Sequence, residues 1–118
     1  MKHEEKTILN KGVELAMEWG PERAKPLRTK LAHHLPDLDD NELNKFVTIC
    51  EKVAGVGLDF VFKQYERATD EKSATTYNEV RDNLLLYLKD RHPWVSKKNL
   101  KTLLGQGQYY AWKEGLNT

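Results

Sequence analysis

The stretch Leu31–Phe46, LAHHLPDLDDNELNKF, decides how this chain folds. It sets two adjacent histidines, His33 and His34, ahead of four carboxylates, Asp37, Asp39, Asp40 and Glu42. A metal site, a Ca²⁺ loop and a corner between two helices all compete for such a run. A Ca²⁺ loop opening at Asp37 puts Glu42 at the sixth position, where the sharp turn needs Gly. It puts Thr48 at the twelfth, where a bidentate Glu is needed. Zinc favours histidines at i and i+4, whereas neighbours on a helix point about 100° apart and share a metal poorly. A corner accounts for every residue. His33 and His34 close one helix and Pro36 stops it. Asp39 then caps the next helix, with Glu42 three positions on completing a capping box. A DNA-reading helix-turn-helix is disfavoured at this corner, because Asp39, Asp40 and Glu42 open the helix that would face phosphates.

Helical spacing continues outward in both directions. Leu9, Val13, Ala16 and Met17 form the apolar stripe of a first helix, about Glu5–Trp19, which Gly20-Pro21 ends. A second covers about Arg23–Leu35, with Pro26 near its start, Ala24 or Lys25 as its cap, and Leu27, Leu31 and Leu35 on one face. Beyond Asp39 the stripe runs through Leu43, Phe46, Val47, Cys50, Val53 and Ala54. It meets Gly55-Val56-Gly57 and resumes at Leu58, Val61, Phe62 and Tyr65, as one helix or two over residues 39–68. ATDEKSATTYNE reads as a linker and helix start. A further helix spans about Thr75–Arg91, with Tyr77, Val80, Leu84 and Leu88 inward. The last runs about Lys97–Lys113 behind a Ser96 cap. Strand alternation is nearly absent. The fold class is therefore all-α, a compact bundle of five or six helices with short loops, in a single helical domain over residues 1–118.

Composition narrows the function classes. A chain of 118 residues is long enough to bury a core without disulfides or metal. With a net charge of +1 there is no global field to draw in nucleic acid or an anionic membrane. Charge is blocked, however. Arg23, Lys25, Arg28 and Lys30 outweigh Glu22, acids dominate 36–51, and Lys97, Lys98, Lys101 and Lys113 outweigh Glu114. One cysteine excludes an internal disulfide. The opening MKHEEKTILN shows no signal-type apolar run and no stretch reaches membrane length, so the expected setting is cytoplasmic and off the membrane.

Other candidate signals reduce to packing. Gly55/Gly57 and Gly105/Gly107 follow no strand and lack a third glycine, so they are not nucleotide fingerprints. A tight helix crossing at both pairs is the preferred reading and a kink the other. Cys50 lies on the apolar stripe and reads as a small core residue, and LKTLL, Leu100–Leu104, reads as helix core. His3 falls near the chain start and His92 at a helix end. No metal or cofactor is expected, and no catalytic arrangement follows from spacing.

The last helix carries the functional signal. At about 100° per residue, Leu100, Leu103, Leu104, Gly107 and Ala111 gather on one side, with Tyr110 at the edge. Lys98, Lys101, Gly105, Tyr109 and Trp112 gather on the other, with Trp94 just ahead. Nothing about a solvated face requires a Trp. One reading covers Tyr109 and Trp112 with another element. The other leaves them exposed as a docking surface.

The leading function is thus a small protein–protein interaction module, regulatory or adaptor in type, whose partner is another protein or a second copy. It would use Trp94, Lys98, Lys101, Tyr109 and Trp112, with the basic segment Arg23, Lys25, Arg28 and Lys30 as a second contact. The alternative is nucleic-acid binding through 23–30 and 97–101. A third reading is an enzyme or small-molecule binder with Tyr65, Tyr77, Tyr87 or His92 in a pocket between helices.

Overall fold

The computed structural model describes residues 4–72 and 75–116; His3 and part of the expected linker, residues 73 and 74, lie outside them. The described residues are all-helical: α1 Glu5–Ala16, α2 Leu27–His34, α3 Asp40–Asp70, α4 Tyr77–Arg91 and α5 Lys97–Lys113, with a 3₁₀ turn at Gly20–Ala24. Residue contacts divide them into two compact units that meet within α3, one ending at Ala54 and the other beginning at Gly55.

In the first unit, α1 ends at Ala16, one turn short of the expected Trp19. Gly20 takes a φ of +78°, which a glycine adopts without strain, and starts the 3₁₀ turn. The expected helix from Arg23 does not form there. Pro26 bars its predecessor from helical geometry, so Lys25 is extended and α2 begins only at Leu27. Pro26 itself occupies the cap position, correcting the expected Ala24 or Lys25. The corner closes as its residues dictate. The Glu42 N–H donates to Asp39 Oδ1 at 2.8 Å, and the Asp39 N–H donates back to Glu42 Oε1 at 3.2 Å. Ile8, Leu9, Val13 and Leu15 of α1, Leu27 and Leu31 of α2, and Leu43, Phe46, Cys50 and Val53 of α3 are buried.

Gly12 sets how closely α1 approaches α3. A Cβ on Gly12 would run into Cys50 Sγ, and the Cys50 thiol donates to the Leu9 carbonyl at 3.3 Å. The sulfur therefore fills a notch one turn of α1 wide.

The second unit rests on a reciprocal notch. A Cβ on Gly57 would lie 3.0 Å from the Leu103 methyls, and one on Gly107 would lie 2.5 Å from Val61. Each helix offers a glycine where the other offers a branched side chain. Both pairs advance in the same chain direction, so α3 and α5 cross nearer to parallel than to antiparallel. This is the expected tight crossing, made by the second glycine of each pair. Gly55 and Gly105 face open space. Residues 39–68 thus hold a single helix: α3 runs 31 residues and continues through both glycines without a break.

Thr76 caps α4 by accepting the Glu79 N–H, and Ser96 caps α5 by accepting the Asn99 N–H. Val80, Leu84 and Leu88 of α4 are buried as read, but Tyr77 is exposed. No helix among the described residues is long and apolar enough to cross a membrane.

Candidate functional site

The outward face of α5 is built as the helical projection implies. Lys98, Lys101, Gly105, Tyr109 and Trp112 are all exposed, while Leu103, Leu104, Gly107 and Ala111 behind them are buried. Trp112 keeps 65% of its surface accessible and Tyr109 keeps 42%. Their ring centroids lie 6.1 Å apart, and Tyr110 meets Tyr109 edge-on at 5.8 Å. The lysines sit one turn apart on the N-terminal half. Gly105, exposed and without a side chain, separates them from the aromatics. From Lys101 to Tyr109 the face extends about 12 Å. It is a two-part surface, cationic at one end and aromatic at the other.

Trp94 lies just ahead of α5, before its first turn. It is half-buried at the α4–α5 corner, with its ring 6.0 Å from His92.

Within the basic segment 23–30 the four cations differ in exposure and pairing. Lys30 is buried: its Nζ donates to the Leu15 carbonyl at 2.6 Å and sits 3.4 Å from Glu18 Oε1. A lysine carried into the fold must find such partners, and these hold it away from any docking protein. Arg28 bonds Asp40 at 2.9 Å and Asn44 at 3.2 Å, tying the start of α2 to the start of α3. Lys25 pairs with Glu22 at 3.0 Å. Arg23 is exposed. These cations chiefly neutralise their own fold.

A polar cleft of about 410 Å³ lies beside them, lined by Glu18, Glu22, Lys25, Thr29, Lys30 and both histidines of the opening stretch. Its lysines and carboxylates are already paired with each other. The described residues hold no group of three or more His, Cys, Asp or Glu placed for a metal ion.

Of the groups named for a small-molecule pocket, Tyr65 and Tyr77 lie near each other, while Tyr87 and His92 have other neighbours. Tyr65 is fully buried, and burial, with Tyr77 nearby, pushes its phenol above the ordinary range. Tyr87 stacks on Phe60 at 4.6 Å, and the Arg91 guanidinium lies over its ring at 4.3 Å. His92 lines a groove of about 180 Å³ between α4 and α5 that holds none of the three tyrosines. Cys50 is an inert core thiol, its pKa pushed up to about 12 by burial and then by the Glu51 charge.

The sequence reading missed two features, the apolar α4–α5 groove and the outward leucines Leu85 and Leu86. The run LLLYL is apolar all round, so no face stands out by periodicity, and the groove depends on how Pro93 and Val95 turn the chain.

Comparison with protein-family models, with curated proteins and with solved structures finds no match for this chain.

Proposed function

We propose that this protein is a protein–protein interaction module, regulatory or adaptor in type, whose contact surface is the outward face of α5. The observation that carries the reading is the exposure of Trp112 and Tyr109 on the same face as Lys98 and Lys101. Large aromatic rings gain free energy when their apolar surface is removed from water, and they are the side chains that anchor interfaces when covered. In this mechanism the lysines steer an acidic surface into register, and burial of the two rings supplies the affinity. The pairing of Lys25, Arg28 and Lys30 with internal partners weighs against a basic nucleic-acid surface on that segment.

The test is affinity capture of the tagged protein from source-cell lysate, with and without nuclease, beside a Trp112→Ala/Lys101→Glu variant. Both substitutions fall at exposed positions, so the fold is retained. A protein captured after nuclease and lost in the variant is the expected result. Loss of the Trp112 ring alone should weaken binding by about 2 kcal/mol, about thirty-fold. Capture that disappears with nuclease would replace this reading with the nucleic-acid one.

A further inference from the structure

The α4–α5 groove has a chemistry of its own. Its walls are Leu85, Leu88, Val95 and Leu100, with Pro93 at the corner. Leu85 is 45% exposed at the mouth. At about 180 Å³ it is smaller than the cavities that take drug-sized molecules, which run from about 300 Å³. It is comparable to cavities known to hold a single benzene-sized group. One side chain of a polypeptide is therefore the fitting occupant.

The rim decides what surrounds that side chain. Lys89, His92 and Lys97 line the groove, and no carboxylate does. Among the described residues, Lys89 and Lys97 have no carboxylate partner, nor does Lys101 one turn further along α5. Elsewhere Lys11, Lys25, Arg28, Lys30, Lys45, Lys63 and Arg81 each have one. The N-terminal end of α5, capped by Ser96, adds its positive dipole at Lys97. Aliphatic walls do not stack nucleobases, and a concave mouth does not wedge into a bilayer. An acidic polypeptide satisfies walls and rim together.

We infer that the α4–α5 groove docks a short acidic peptide segment of a partner protein, seating one apolar side chain between Leu85 and Leu100 and its flanking Asp or Glu residues on Lys89 and Lys97. This rests on the reading of the chain as a protein-binding module and adds the chemistry of the segment it takes.

The experiment pans a phage-displayed library of random short peptides on the intact protein and on a Lys89→Glu/Lys97→Glu variant. Enriched peptides are then synthesised and titrated by fluorescence anisotropy, with chemical shifts followed at Leu85, Val95 and Leu100. Both substitutions are at exposed positions, and Glu at the first turn of α5 suits the dipole, so the variant folds. Peptides with one apolar anchor flanked by acids should be enriched on the wild type, shift the groove resonances and lose about tenfold or more in affinity on the variant. Enrichment of neutral or basic peptides, equal binding to both proteins, or no enrichment at all would overturn the inference. So would a preference for phosphatidylserine vesicles or oligothymidylate through the same residues. A lysate partner lost in Trp112→Ala/Lys101→Glu but kept in Lys89→Glu/Lys97→Glu would reject the groove and leave the α5 reading standing.

Discussion

At the scale of single residues, burial explains what Cys50 and Lys30 do. Cys50 is wholly enclosed, its thiol given to the Leu9 carbonyl and its pKa raised to about 12. The thiolate is the reactive form, so a thiol reagent such as DTNB should leave the folded protein untouched at neutral pH and label it fully in urea. Rapid labelling of the native protein would mean that the notch against Gly12 opens. The core role of Cys50 was legible from its place on the stripe. The notch at Gly12 was not, although its spacing four residues after Ile8 put it on the buried face. Lys30 is the opposite case. Its charge suggested a surface, but its partners, Leu15 and Glu18, lie twelve or more residues back. No local pattern encodes a pairing made by tertiary approach.

At the scale of elements, four glycines divide by what faces them. Gly55 and Gly105 meet open space and are exposed, so alanine there should stabilise the protein by about 0.5–1 kcal/mol each through helix propensity. A Cβ on Gly107 would stand 2.5 Å from Val61, and overpacking of that kind typically costs about 1–3 kcal/mol. Urea unfolding of the four Gly→Ala variants should therefore split in sign: Gly55 and Gly105 up, Gly107 clearly down, and Gly57 down by less, because its approach to Leu103 is 3.0 Å rather than 2.5 Å. A uniform response would show that the crossing does not depend on these notches. Helix ends whose signals are local were legible: the Asp39–Glu42 box, the Ser96 cap and the bounds of α5. The start of α2 was not legible from the apolar repeat, because Pro26 forbids helical geometry at Lys25 and delays the helix to Leu27.

For the whole molecule, each unit buries an acidic group in its neutral form, Cys50 in one and Tyr65 in the other. Both pKa values are raised by folding, so both groups favour the protonated fold. Below the unfolded thiol's 9.0 the contribution of Cys50 is fully present. From there toward 12 only the unfolded chain ionises, and each pH unit removes about 1.4 kcal/mol. Tyr65 adds to the loss above about 10. Urea midpoints should thus fall between pH 9 and about 10.5, and a Cys50→Ala variant should show a shallower fall. Equal slopes would place the thiol in contact with water. Both units pair cations with their own carboxylates, Lys30 with Glu18 in one and Lys63 with Asp59 in the other, while the corner of α4 and α5 leaves Lys89 and Lys97 exposed.

The placement of the three tryptophans has an optical consequence. Trp19 and Trp112 stand in water and Trp94 is half-covered, so none reports on the core. Native emission should therefore lie toward that of a solvated indole, and urea should shift its colour little; a large red shift on unfolding would contradict this. On the proposed α5 contact surface, the larger blue shift should come when a partner takes Trp112 out of water, which would make the chain's own fluorescence a better gauge of binding than of folding.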